Sequence, residues 1–357
     1  MSLARQVAFR VVRRVLEQGA YADRALEGEG RRLDTRDRAF AQQLVFGTVQ
    51  RQSTLDHIVD AYVEREPPDV ARAALHLGIY QLLFLDGVAD HAAVGETVEL
   101  LKGHRAAGMV NAVLRKVARD GFELPADDTP AGAALHHAHP RWLVDLWWDW
   151  LGPDETRALL AADNRPAERG TRESPNGDVV FQSSASQLVS VLVDPQPGER
   201  VLDLCAAPGG KTTHLAALME NRGEVVAYER HGGRATALEA RCRQHGADIV
   251  KVVNDDAVNA TGTFDRVLLD PPCSGLGTLS RNPDLRWRMT PQRIAALVPE
   301  QDRLLEVARA RVAPGGRLVY SVCTLNPAED RLETEDLRRT WPHRDATDGF
   351  SIAIAAV

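Results

Sequence analysis

"VLDLCAAPGGKTTHLAALM" (Val201–Met219) runs from a short apolar strand pattern through a turn of small residues into a helical pattern. The "GGKT" within it resembles a phosphate-binding loop, but G-x-x-x-x-G-K-[ST] would need glycine where Cys205 stands. No G-x-G-x-x-G is present either, so the dinucleotide fingerprint also fails. What remains is a tight turn of Ala206, Ala207, Pro208, Gly209 and Gly210, where a ligand can approach the backbone. Beside it lies a helix N-terminus that attracts an anion, a carboxylate as readily as a phosphate.

Working outward, the runs "VLDL", "EVVAYE", "IVKVVN", "RVLLD" and "RLVYSV" alternate with helical stretches at Thr213–Met219, Arg234–His245 and Pro291–Val312. Alternation of this kind predicts βαβ units and a mostly parallel sheet over residues 181–357. Ligands of such sheets bind at the carboxyl ends of the strands, and the chemically suggestive residues fall there. Glu229 ends "VVAYE", about 20 positions beyond the glycine turn, where an acid suits a ribose diol. Asp255 and Asp256 end "VVN", and either could accept from an adenine amino group. The turn and the acids together suit an adenosine-bearing ligand that ends in a carboxylate, and S-adenosylmethionine is such a ligand.

Residues 1–125 read as helical throughout, with Leu3, Val7, Val11 and Val15 as one apolar stripe. Further amphipathic segments are predicted at Asp37–Val49, Thr54–Glu64, Val70–Leu85, Ala92–Leu101 and Ala107–Ala118. Residues 126–180 begin with the Pro/Gly/Asp-rich "FELPADDTPAG" region and are expected to be a linker and a connecting segment. Within them "PRWLVDLWWDWLG" holds four tryptophans. Exposed indoles could stack on bases, but a helix wedged between domains, with the indoles as packing bulk, is the more ordinary reading.

At 357 residues, 44% hydrophobic and 26% charged, the chain has the composition of a soluble globular protein of about two domains. No window approaches the roughly 18–20 apolar residues that span a bilayer, and arginines interrupt the apolar positions of the first segment. A cytoplasmic monomer with no membrane association is the expectation. The net charge of −7 excludes a wholly basic nucleic-acid coat but leaves room for a local basic face. Cys205, Cys242, Cys273 and Cys323 are far apart and form no zinc spacing, so free thiols and no metal are expected.

Two of those cysteines end apolar runs: Cys273 in "DPPCSGLGTLSRNPDLRW" and Cys323 in "YSVCTLNPAED". Cytosine C5 is too poor a nucleophile to take a methyl group from a sulfonium unaided. A thiolate adding to C6 makes C5 enamine-like; a proton must then leave C5 and the thiolate must be expelled. Asp270 and the two cysteines supply the residue types for this chemistry, and the sequence by itself does not say which sulfur attacks.

Here the chain resembles the Nol/Nop/Sun family of RNA cytosine-C5 methyltransferases, through "LDLCAAPGGKTTH" and the two cysteine motifs. "FAQQLVFGTVQRQSTLD", "ALHLGIYQLLFLD", "HAAVGETVELLK" and "MVNAVLRK" are similar to the NusB-like RNA-binding domain fused to the bacterial small-subunit ribosomal RNA members. The resemblance implies an all-α NusB-like domain followed by a Rossmann-like S-adenosylmethionine-dependent methyltransferase sheet. It implies that Cys323 attacks C6 and that Cys273 serves product release. It maps the cofactor onto Cys205–Lys211, Glu229, Asp256 and Asp270, and the reacting centre onto Asp270. Lys211 is expected to favour a thiolate as a nearby cation. The partner implied is small-subunit ribosomal RNA, with another RNA such as tRNA, or a catalytically silent RNA-binding regulator, as rivals. Candidate phosphate contacts are Arg281, Arg286, Arg288 and Arg293. The connecting stretch "ADNRPAERGTRESPNGDVVFQSSAS" is shorter than the family's, and Glu329-Asp330-Arg331 stands where the family often has Glu-Asn-Glu.

Overall fold

A computed structural model describes residues 2–356 and divides into two compact units. The first takes in the chain as far as Asn164 together with Asn282–Arg288; the second takes in Arg165–Arg281 and the chain from Met289 onward. Among the described residues no helix is long and apolar enough to cross a membrane.

Helices at Leu3–Gln18, Thr35–Gln50, Gln52–Tyr62, Asp69–Leu83 and Ala107–Asp120 surround one core in the first unit. They match the predicted segments to within about two residues at most ends, because each carries an apolar stripe at helical spacing. The stripe of the first helix is shorter than expected: Val7, Val11 and Val15 are buried, but Leu3, in the opening turn, is 45% exposed. The helix Ala22–Glu29 was not anticipated. Neither were the helices Pro130–His136 and Pro153–Ala162 in the expected linker, whereas the tryptophan-rich stretch forms the expected helix, Arg141–Leu151. Thr129 caps the first of these by accepting from the Gly132 N–H, with Pro130 at the first helical position, so the Pro-rich signal marks a helix start. Trp147 is wholly buried and the other three indoles of its helix partly so, as packing bulk requires.

The second unit opens with a hairpin, β1 (Thr171–Glu173) against β2 (Val179–Phe181). Its seven-stranded sheet is built from β3 (Arg200–Asp203), β4 (Glu224–Tyr228), β5 (Val250–Val253), β6 (Phe264–Leu269), β7 (Val312–Val322), β8 (Asp336–Thr340) and β9 (Phe350–Ala356). Their order is β5-β4-β3-β6-β7-β9-β8. The five strands from β5 to β7 run parallel, while β9 pairs antiparallel to β7 and β8 to β9. Chain order reverses between β3 and β6, the switch point at which open α/β sheets bind ligands. Val201, Val225, Leu268 and Val319 pack on one face and Leu202, Val226, Val267 and Leu318 on the other. Burial on both faces explains the unbroken apolar runs in the sequence.

Asn282–Arg288 lies in the first unit through a wholly buried arginine. Arg286 donates to Ala138 O at 3.0 Å and Asn164 Oδ1 at 2.9 Å, while Trp287 Nε1 donates to Val49 O at 2.7 Å. Burial drives the Arg286 guanidinium down to about 9. Arg286→Ala would leave two buried acceptors without their donor, and stability should fall by on the order of 3 kcal/mol. Urea unfolding checks this, and a loss below about 0.5 kcal/mol, the range of an unimportant surface change, would contradict the anchoring role.

Candidate active site

The carboxyl ends of the parallel strands enclose a cavity of about 280 Å³. Cys205 and Ala207 line it from the turn after β3, Glu229 from β4, and Asp256 from beyond β5. Asp270 and Cys273 enter from β6 and Cys323 from β7. Ala206, Pro208, Gly209 and Gly210 form the turn without lining the cavity. Gly209 adopts φ +94°, and a Cβ there would stand 2.5 Å from Leu238 Cδ1, so both backbone and neighbour demand glycine. The helix Gly210–Leu218 starts immediately after it, and its leading N–H groups have no carbonyl one turn earlier within the helix.

Cys273 Sγ and Cys323 Sγ are 3.4 Å apart. The glycine-rich loop after Cys273 makes this approach feasible: Gly277 N–H donates to Cys323 O at 3.0 Å. A Cβ on Gly277 would stand 1.8 Å from Gly349 O, which no side chain tolerates. The hydrogen bond with Cys323, then burial, then the charges of Cys323, Glu329 and Asp270 raise Cys273 well above an ordinary thiol. Either sulfur can be the S–H donor of this contact. Cys205 is raised as well, by burial and then by Asp203, Asp270 and Glu229. Cys242 is buried on the helix Gly232–Gln244 and takes no part.

Lys211 reaches the site through Asp270, with Nζ 2.6 Å from Oδ2. Burial opposes its charge, but Asp270 and, more weakly, Cys323 and Asp203 outweigh it, so the ammonium is raised above its ordinary value. The other Asp270 oxygen accepts from Ser321 Oγ at 3.1 Å. Glu229 is 5% exposed and accepts from the His231 N–H at 2.8 Å. Asp256 accepts from the Val258 N–H at 3.1 Å, so it caps a short turn and lines the cavity at once.

A model of the 16S rRNA methyltransferase RsmB/F family matches residues 190–337, and one of the NusB family matches residues 2–119. A Synechocystis protein described as probable ribosomal RNA small subunit methyltransferase B is 35% identical, covering 94% of this chain and 89% of its own. Its counterpart in Bacillus subtilis is 31% identical, covering 93% and 86%. The crystal structure of PH0851 superposes with a TM-score of 0.77 at 25% identity, over 99% of this chain and 98% of that one. The chain belongs to the RsmB/F family of 16S rRNA methyltransferases.

As in the rest of the RsmB/F family, the methyl donor is S-adenosylmethionine. The donor set suits that molecule: two acids at successive strand ends, Glu229 and Asp256, line the same cavity as the cysteine pair and Asp270. A NusB domain precedes the Rossmann-like sheet, as the sequence motifs implied.

Three residues important to this geometry escaped the sequence reading. Ser274 and Glu329 tie the cysteine loops together, and position 329 was noted only as a motif departure. Asp203 is the third, an interior strand acid that accepts from Thr212 Oγ1 at 2.8 Å. The expected phosphate contacts fare differently. Arg281 holds Asp348 at 3.0 Å, Arg286 is interior, and Arg288 holds Asp284 at 2.7 Å and the Gly19 carbonyl at 2.9 Å. Arg293 stands exposed. Sequence proximity to a catalytic loop does not distinguish a phosphate ligand from a structural fork, because a guanidinium satisfies buried carbonyls equally well. Away from the cavity, Asp127, His136 and His137 lie close enough to hold a metal ion. Their own hydrogen bonds account for the grouping: His137 Nε2 with Asp127 Oδ2, and His136 Nδ1 with Pro125 O, both at 2.9 Å.

Burial, with a further push from Asp270, raises Asp203 from 3.8 to about 6, against the lowering effects of Thr212, Lys211 and the Cys205 N–H. The folded state then holds a proton that the unfolded state releases, so a destabilising contribution grows as pH rises from about 4 and is complete above about 6. Asp203→Asn removes it. The stability difference between this variant and the parent should favour the variant more at pH 7.5 than at pH 4.5, by at most about 3 kcal/mol. Thermal unfolding across that range is the measurement, and a pH-independent difference would contradict it.

Proposed function

We propose that this chain methylates C5 of cytosine in small-subunit ribosomal RNA through a covalent bond between Cys323 Sγ and C6. The observation that carries this reading is the 3.4 Å separation of Cys273 and Cys323, which line one cavity with Asp270. Two thiols at adjacent strand ends suit a reaction in which one sulfur bonds to a ring and the other frees it. The relatives' names specify ribosomal RNA of the small subunit, and the NusB domain suits an RNA substrate.

Bound S-adenosylmethionine supplies an electrophilic methyl on a sulfonium. In this reading Cys273 keeps its proton, which burial and its neighbours favour, and Cys323 is the sulfur that attacks, within the field of the Lys211 ammonium. The Cys323 thiolate adds to C6 and C5 takes the methyl group. That bond consumes the charge on Cys323, and with it the largest influence holding the proton on Cys273. Cys273 then releases its proton to solvent and accepts the C5 proton as the C6–S bond breaks. The sum is one methyl transferred and one proton released, with both thiols returned to their starting states. The target base must stand outside a helical stack to reach these groups. Asp270, held by Lys211 and Ser321, is the acid placed to face the polar edge of the ring.

Cys323→Ala should lower methyl transfer by at least about 10³-fold while leaving cofactor affinity nearly unchanged. Cys273→Ala should instead accumulate a protein–RNA adduct that survives denaturing electrophoresis. An adduct formed by Cys323→Ala and not by Cys273→Ala would exchange the two roles. Loss of methylation at a uridine or a purine, mapped by mass spectrometry of ribosomal RNA from cells lacking the protein, would refute the cytosine assignment.

A further inference from the structure

Glu329 is wholly buried, and among the described residues no lysine, arginine or histidine forms an ion pair with it. Its carboxylate is instead held by neutral donors. Oε1 accepts from the Ser274 N–H at 2.9 Å and from Gln301 Nε2 at 3.0 Å, and Oε2 accepts from Ser274 Oγ. Ser274 Oγ is also 2.7 Å from Thr324 Oγ1, and Gln301 Nε2 donates to Pro272 O at 2.9 Å. The residues on both sides of Cys273, and the residue after Cys323, are thus tied to one carboxylate. Tyr320 on β7 closes the arrangement by donating its hydroxyl to Glu329 O at 2.9 Å.

A neutral amide could make a similar set of hydrogen bonds at this position. Burying a carboxylate without a cation is costly, so its charge calls for a use that packing alone does not provide. Its charge acts on Cys273, the sulfur in the loop it holds.

We propose that Glu329 is a positioning residue that divides the cysteine pair into donor and acceptor, pinning the Cys273 loop against the Cys323 loop while its charge opposes a thiolate at Cys273. This rests on the reading that Cys323 attacks the ring. The charge on Cys273 is also influenced by Cys323, Asp270 and Tyr320, with Lys211 acting through Asp270. Of these, Glu329 is the one whose carboxylate bonds the backbone and hydroxyl of Ser274, next to Cys273. A fixed negative charge there keeps the S–H pointing at Cys323 until that sulfur has bonded to the ring. Deprotonation of the wrong sulfur is suppressed by a group that touches neither substrate nor cofactor.

The test is alkylation of Cys273 by iodoacetamide as a function of pH, followed by peptide mass spectrometry on the full chain without RNA. A Cys323→Ser background removes the second reactive sulfur from the cavity. Glu329→Gln, which retains shape and most hydrogen bonds, should lower the alkylation midpoint by about one pH unit, as expected for loss of a nearby like charge. Glu329→Asp, which retains the charge, should leave the midpoint closer to that of the parent. In the chain with both cysteines, Glu329→Gln should reduce kcat for methylation roughly tenfold or more with little change in the KM for S-adenosylmethionine. An unchanged midpoint in Glu329→Gln, or equal shifts in the Gln and Asp variants, would overturn the proposal. Because the midpoint is read without RNA, its failure is distinct from an exchange of roles between Cys273 and Cys323, which only adduct formation reveals.

Discussion

The contact between the two sulfurs depends on the register of β6 and β7. These strands pair in parallel, with Leu268 opposite Val319 and Leu269 opposite Tyr320. Asp270 and Ser321 then fall side by side and bond at 3.1 Å, and the chains turn away at comparable heights. Cys273 and Cys323, 50 positions apart in the chain, arrive 3.4 Å from each other. A slip of one residue would exchange the faces of every side chain on β7. Val319 would leave its apolar cluster and Cys323 would leave the cavity. The strand register that seats these side chains in their two apolar clusters therefore also sets the geometry of the site.

Much of this was legible because it depends on local pattern. Strand ends were marked by Glu229, Asp256, Asp270 and Cys323, each following an apolar run, and β-sheet physics places such ends on one edge. The helices of the first unit were legible for the same reason, since one apolar face per helix suffices to define them. What escaped depends on contacts distant in sequence. Nothing local distinguishes Arg286 from a solvated arginine; its acceptors at Ala138 and Asn164 lie more than a hundred positions away. Ser274 and Glu329 are likewise joined across 55 positions, although each adjoins a motif that the sequence made conspicuous. The helix Pro130–His136 was hidden differently, because a proline-rich start reads as a linker until its cap is seen.

Three cysteines stand at the strand ends, and the electrostatics around them are unequal. Cys205 is buried among Asp203, Asp270 and Glu229, all of which disfavour a second negative charge. Cys273 is opposed by burial, by its partner sulfur and by Glu329. Lys211 is held by Asp270 and interacts with Cys323, while Arg230 and Arg234 line the cavity on the side of Glu229's strand. The same arrangement explains why Asp203 holds its proton to about 6. With Asp270 already paired to the single lysine, a further buried charge on the adjacent strand has no cation of its own. Selection among similar sulfurs therefore comes less from the sulfur's own surroundings than from where the carboxylates are placed around its neighbours.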